Sequence, residues 1–408
     1  MKKSTFISSG AIVLFISSSL AYGPTGHEIV GGIADNLLAN TPTEAKIKTL
    51  IDGITLEKAS VIPDEIKGWD KKGAADLNQF PHYFDHPNID NQLRDFWRAN
   101  QPTHDRNLSM PSHHWFHYTD VPILNPQKYS DGKTGRSQWD VVHMITFCAG
   151  VLKGETAEDN PRKITKPVAI ILLAHYVADI HQPLHVGAEY FDEAGHAVDP
   201  DRGKPGIADE GGNTILLRLR RGTPEQFAHH NLKLHGFWDN EAVTANLVSL
   251  PLNVSKEERQ DKIEKAKRQL IERLSREQPT NWRLPREVPV ENYAEAWADE
   301  ILPIARQAHE RLEFSKVHPQ LDQDRYVSVG IAQEQIVPGR IVYADWAANV
   351  VREELHKAGW RLADLLERVV TSTTTIAPPL PTTLLIPPTT EHDPNSITPV
   401  LPSPATKQ

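Results

Sequence analysis

The stretch from His175 to His185, HYVADIHQPLH, constrains this chain more than any other. His175 and Asp179 are four residues apart, one helical turn, so both leave the same helix face. Pro183 disfavours helix at the residue before it and ends that turn. His185 therefore departs on another trajectory. Three metal-competent side chains diverging from one bend suit two or more ions better than one. The segment NLKLHGFWDN repeats the device, with His235 and Asp239 again at i, i+4. One such pair is ordinarily a solvated or helix-stabilising contact; the recurrence gives it weight.

The front of the chain reads as a secretory leader. Lys2 and Lys3 are followed by a short apolar run, Ala11 to Ile16, and by the small residues of Ser19-Leu20-Ala21. That run is too short for a stable membrane anchor, and the expected cut lies between Ala21 and Tyr22. The mature product is expected to be soluble and exported. Losing Lys2 and Lys3 takes Lys+Arg from 44 to 42 against 53 Asp+Glu, a net charge near −11. Such a balance argues against a stoichiometric nucleic-acid binder, which carries a basic face. It does not argue against an enzyme that grips a polyanion through metal ions at one spot. Cys148 is the only cysteine, so intramolecular disulfides and cysteine-built zinc sites are excluded. It sits in the apolar run VVHMITFCAG and reads as a core residue. Metal ligation is left to the 19 histidines, the carboxylates and the backbone.

Helical spacing recurs over Glu28–Leu38, Pro167–Ile180, Lys256–Leu274, Tyr293–Phe314 and Tyr343–Val369, while strand-like alternation is scarce. The expected class is all-α: one mostly helical domain over residues 22–370, with a single short hairpin arm at NTILLRLRRG near Asn213. Its length allows a large core without cross-links. Residues 1–21 form the leader. Residues 371–408, rich in Thr and Pro, read as an extended, disordered tail. Two long stretches, Asp70–Ser112 and Gly187–Gly212, read as irregular loops of the kind that form lids or rims.

Three further segments offer ligands. In YGPTGH, cleavage before Tyr22 would free an amine able to chelate an ion together with its own carbonyl oxygen. Gly23, Pro24 and Gly26 would let His27 fold back toward that ion, although His27 alone could simply flank the helix start. His27-Glu28 is no metalloprotease helix motif, since no second His follows at the needed spacing. In ASVIPDEIKGWD, Asp64 follows Pro63 and Lys67 comes one turn later; alone, this is an acidic first turn favoured by the helix dipole. In PSHHWFHYTDVP, His113, His114, His117 and Asp120 crowd beside aromatic residues, which core packing could also explain. FPHYFDHP offers His82 and Asp85 as a rival to HYTD.

Taken in order, GxxGH, the Pro-Asp at residue 64, HYTD, HxxxDxHQPLH, GGN and LHxxWD resemble the exported zinc-dependent single-strand nucleases and 3′-nucleotidases of the mung-bean and Aspergillus type. The resemblance runs from Tyr22 to about Val369. It implies three zinc ions. Asp64, His117 and His175 would hold the first. The amine and carbonyl of Tyr22, with His27, would hold its neighbour, and Asp179 would bridge the two. His185, His235 and Asp239 would hold a third, more open ion. His117 is preferred to His82, because the ValPro that follows and the aromatics that precede it fit the family.

The same resemblance implies hydrolysis of phosphodiester bonds in single-stranded DNA and RNA, and of 3′-nucleotides, to 5′-phosphate products. The implied nucleophile is a hydroxide between two zinc ions. Lys67, Asp64 and Asp179 are the catalytic candidates, Lys67 standing where the family has a basic residue. Tyr118 would stack on a base and Asp120 would bond its edge, so duplexes should be poor substrates. Asn213 would shape the rim. The chain departs from the family in having Tyr22 where Trp is usual, in its longer loops and in its lack of disulfides. A monomer is expected, secreted or periplasmic; sequons at Asn107 and Asn253 matter only in a glycosylating host. Two other readings are a zinc-dependent phospholipase C, which shares the ligand plan without a base pocket, and a non-catalytic periplasmic zinc-binding protein.

Overall fold

The computed structural model describes residues 22–71, 83, 85–101, 112–125, 128–203, 205–219, 232–247, 255–322 and 325–371. The leader, all of the tail beyond Thr371, His82 and both sequons lie outside these residues. The chain begins with α1 (Pro24–Leu38), α2 (Pro42–Leu50), α3 (Leu56–Ala59), α4 (Ile62–Lys71) and α5 (Pro87–Ala99). A 3-10 turn (His113–His117) and β1 (Val121–Pro122) precede α6 (Val141–Lys153) and α7 (Lys166–Asp179). A second 3-10 turn (Pro183–His185) leads into β2 (Gly187–Ala188), β3 (Tyr190–Phe191), β4 (Ile207–Ala208) and β5 (Ile215–Arg218). Then come α8 (Leu234–Gly236), a π-helical turn (Phe237–Glu241), α9 (Ala242–Thr244), α10 (Lys256–Arg276) and α11 (Tyr293–Glu310). The hairpin β6 (Leu312–Asp322) and β7 (Arg325–Glu334), and the long α12 (Tyr343–Thr371), complete the domain.

The architecture is mostly helical, and α7 is its axis. The Thr165 side chain caps α7 by accepting from the Val168 N–H, and every residue from Val168 to Asp179 is buried. A helix apolar on all sides must lie inside the bundle. Helices α1 to α6 and α12 surround it. Thr41, Thr55, Asp140 and Ser255 cap α2, α3, α6 and α10 in the same way, which explains where those helices start. Cys148 is fully buried within α6, as its apolar setting suggests. Among the described residues no helix is long and apolar enough to cross a membrane.

The expected helix Tyr293–Phe314 is shorter in the structure. It ends at Glu310, and β6 takes over at Leu312. The reason lies in the pattern: Leu312, Val317 and Val327 turn inward along two strands that pair with each other, where a helix would have had no partner for them. The expected hairpin arm near Asn213 is half right. β5 does bridge back antiparallel at Leu216–Lys233, but its main partner is β7, alongside which it runs parallel. The sheet order β5-β7-β6 therefore depends on a pairing between strands some hundred residues apart, which no local pattern announces.

The expected loop Asp70–Ser112 contains α5, with Ile89, Leu93, Phe96 and Trp97 buried. That i, i+4, i+7, i+8 spacing is an amphipathic helix signature visible in the sequence. The second expected loop is partly ordered by β2, β3 and β4. β2 pairs parallel with β1, Val121 against Gly187, so the segment after HYTD is laced to the segment after HQPLH. Thr119 N–H donates to the His185 carbonyl at 2.8 Å and Val121 N–H to Val186 at 3.2 Å.

A buried ion pair fixes the other side of this region. His309 of α11 lies 3.0 Å from Asp209, just before the Gly211-Gly212 turn. Burial alone would lower the His309 pKa, but Asp209 outweighs it and raises the value to about 9. A histidine raised in the folded state stabilises fully below its unfolded value of about 6.5 and loses that contribution as pH rises through 9. Chemical denaturation should show the stability falling by about 3 kcal/mol between pH 6.5 and 9.5. His309→Gln should flatten that slope; an unchanged slope in the variant would assign the effect elsewhere.

Candidate metal centre

The last turn of α7 presents His175 and Asp179 to one buried point. His175 donates from Nδ1 to the Ser60 carbonyl at 2.6 Å, which turns Nε2 inward. Nε2 then lies 3.2 Å from Asp179 and 3.7 Å from Asp64, which enters from the first turn of α4. His117, on its 3-10 turn, places Nδ1 2.9 Å from His175 Nε2, 3.1 Å from Asp179 and 3.8 Å from Asp64. His27 comes from α1, its ring stacked on that of His175 at 3.8 Å, with Nε2 3.5 Å from the other Asp179 oxygen. Asp179 thus faces His117 and His175 with one oxygen, and His27 with the other.

His185 lies beyond the proline, as the bend requires. It donates from Nδ1 to the His117 carbonyl at 2.8 Å and stacks at 4.9 Å on His235. His235 donates from Nδ1 to the Gly211 carbonyl at 2.8 Å, so its Nε2 also points inward, 3.3 Å from Asp239. Gly211 has φ +58, and a Cβ there would sit 2.2 Å from the Leu184 carbonyl oxygen. Only glycine lets that carbonyl reach His235. Asp239 lies within the π-helical turn Phe237–Glu241, a feature common at functional sites. Tyr22 is buried, and its hydroxyl donates to the His181 carbonyl at 2.9 Å. Gly23 N–H donates to the Asp239 carbonyl at 2.8 Å, tying the front of the chain to the second pair.

The donor set fits metal ions. Both nitrogens of His27, Nε2 of His117 and His185, and one oxygen each of Asp179 and Asp239 are buried without a hydrogen-bond partner. Buried polar atoms are rarely left so, since each forfeits its hydration. Three imidazoles spend Nδ1–H on backbone carbonyls, which is how metal-ligating histidines are oriented. Burial pushes His27 and His185 well below the usual imidazole range, and His235 to about 4. Burial also raises Asp179 to about 6 and Asp239 well above the carboxylate range. His175 is the exception: burial lowers it, but Asp179 and Asp64 prevail and raise it. Ligand-distance groupings are His27/Asp64/His175, His117/His175/Asp179 and His185/His235/Asp239. N and O donors in these numbers suit zinc.

Lys67 stands at the edge, its ammonium 2.8 Å from Asp64. Tyr118 and Asp120 follow His117 on an extended segment that β1 anchors, and both are partly buried. Asn213 donates to the Glu210 carbonyl at 3.1 Å beside the glycine turn. Asp85 is exposed, and its proposed companion His82 lies outside the described residues. Sequence reasoning gave no role to Gln182, whose Nε2 donates to Asp239 at 2.9 Å while Oε1 accepts from the Leu184 N–H. Nor did it place His181, which accepts from Arg361 at 2.9 Å and donates to the Val177 carbonyl at 2.7 Å. Both lie within HYVADIHQPLH, so the motif was the available signal. Ser60, acting through its carbonyl, left no signal.

The model of the S1/P1 nuclease family matches residues 95–371. Two curated proteins of Arabidopsis thaliana are similar to the chain. Endonuclease 4 is 27% identical over 247 residues, 59% of this chain and 62% of that protein. Endonuclease 1 is 27% identical over 239 residues, 58% of this chain and 58% of that protein. The match thus spans about six tenths of the length of each relative. His27 and Asp64 precede the matched family range, yet they meet His117, His175 and Asp179 in space. On the family match over residues 95–371, this chain belongs to the S1/P1 nuclease family.

Proposed function

We propose that the chain is an exported, monomeric zinc-dependent nuclease that hydrolyses single-stranded DNA and RNA, and 3′-nucleotides, to 5′-phosphate products. The convergence of eight buried His and Asp side chains on one region beside Lys67 carries this reading. Membership in the nuclease family and similarity to the two plant endonucleases support it. In this reading the ninth ligand residue is Tyr22, freed by cleavage after Ala21, and the site takes three zinc ions. Zinc held there would polarise a phosphoryl oxygen and lower the pKa of water at the site.

The residues divide the remaining work. Asp64 both faces the ion site and holds the Lys67 ammonium in place. Lys67 then neutralises charge growing on the phosphoryl oxygens. Asp179 fixes the spacing between the two halves of its cluster. Tyr118 gives a base a ring to stack on, and Asp120 reads its edge. Burial, and then the charges of Asp209 and Glu210, raise the Asp120 pKa to about 8. At neutral pH that carboxyl keeps a proton and can donate as well as accept. Stacking and edge contacts both require an unstacked base, which disfavours duplexes.

The test is hydrolysis by protein starting at Tyr22. Single-stranded DNA should be cut, chelator should stop it, and zinc should restore it. Action on phosphatidylcholine without action on single-stranded DNA would reverse the reading, and zinc binding without turnover on any of these substrates would leave a storage protein. One residue added before Tyr22 should lower turnover at least about tenfold; full turnover by the extended protein would contradict the role of the amine.

Asp120→Ala should raise KM about tenfold with zinc content unchanged. A matching loss of zinc in that variant would show Asp120 to be structural instead.

A further inference from the structure

One cluster borders the cleft, on the 3-10 turn that ends at His117, and has no part in the reaction described. Along α4, Asp64, Lys67 and Asp70 occupy successive turns, so Asp70 lies about 9 Å further along the helix than Asp64. Asp70 meets the two histidines that open the PSHHWFH segment. His114 Nε2 is 2.6 Å from an Asp70 oxygen, and His113 Nε2 is 3.7 Å from the same oxygen. The two imidazoles stand edge to face at 4.7 Å. The other Asp70 oxygen accepts from the Trp97 indole at 2.6 Å, which fixes the carboxylate in the way outer-shell donors orient ligands.

An ordinary His–Asp pair would account for His114 alone. His113 is the unexplained member: it is 1% exposed, and its Nε2 is buried without a hydrogen-bond partner. At 3.7 Å it is too far from Asp70 to share a proton. Two ligands on one tetrahedral zinc lie about 3.4 Å apart, which is close to that separation. An ion in place of the His114–Asp70 proton would bring all three donor atoms, already within 4.8 Å of one another, onto a single centre. His114 is 40% exposed and gives such an ion a route in from solvent. We infer that Asp70, His113 and His114 form a separate site for one zinc-class divalent cation, with a fourth position left to water. Two imidazole nitrogens and one carboxylate oxygen suit zinc or a similar transition ion better than magnesium or calcium.

Metal analysis of the purified mature protein tests this without reference to its activity. The double variant His113→Ala/His114→Ala should bind one ion fewer than the unaltered protein and keep single-strand hydrolysis within about threefold. His235→Ala, changed in the cleft, should also lose metal but with a large loss of hydrolysis, so failure of the nuclease reading and failure of this site register separately. Should the double variant fold poorly, His114→Ala alone changes only the exposed member. In a chelator titration it should lower the affinity of one ion at least tenfold and leave the others as they were. Equal metal content in the double variant and the unaltered protein, or superimposable titrations for His114→Ala, would overturn the site.

Discussion

His117 Nδ1 and His175 Nε2 face each other at 2.9 Å inside the protein, with carboxylate oxygens of Asp179 and Asp64 within 4 Å of both. His175 has already committed its other nitrogen to Ser60. A proton on His117 Nδ1 would satisfy that one contact, but it leaves both nitrogens of His27, Nε2 of His117 and one oxygen of Asp179 buried without partners, and a cation among them would answer these groups together. Much of the domain serves to hold them there. α7 is buried from Val168 to Asp179, which packs its last turn on all sides. α1, α3 and α4 pack against that helix and bring His27, Ser60 and Asp64 to its end. The β1–β2 ladder ties the His117 segment to the His185 segment. The Asp209–His309 pair anchors the stretch leading to the Gly211 carbonyl, which orients His235. A bundle without a cation at its centre would have little use for this arrangement.

Part of the site was open to reading in one dimension. His175 and Asp179 at helical spacing, and His185 beyond a proline, fix relative directions that any fold must respect. Those directions are what the structure has. The meeting of His27, Asp64, His117 and His235 with that bend is a long-range fact. Spacing cannot supply it, and only the ordered resemblance to a family suggested it. Contributions made through backbone atoms were the least visible, since the Ser60, His117 and Gly211 carbonyls could have belonged to any residue type. Gln182 could have been found, because it sits inside the most informative segment and its amide reaches Asp239.

The fold shows the same division. The spans expected for α1, α7, α10 and α12 agree with the structure to within about four residues at either end, whereas the capped helices α2, α3 and α6 drew no such expectation. α5 was legible too, through Ile89, Leu93, Phe96 and Trp97, but lay in a polar stretch that read as loop. The first residues of β6, Leu312–Phe314, read as the end of a helix because Glu310 and Arg311 carry the helical composition on to Leu312. The parallel match of β5 with β7 could not be seen, since register between distant strands is set by packing around both. The family match begins at residue 95 and so leaves out the front quarter of the chain. The geometry supplies what that comparison lacks, because the front of the chain contributes His27, Asp64 and Lys67 to the same place.

Asp179 offers the sharpest test, since it faces ligands on both sides while Asp239 faces only one group. Metal content should be measured for Asp179→Asn and Asp239→Asn beside the unaltered mature protein, all confirmed as folded. The first variant should lose two ions together and the second only one. Loss of a single ion, or none, from Asp179→Asn would mean that the carboxylate is not shared, and the centre described here would be wrong.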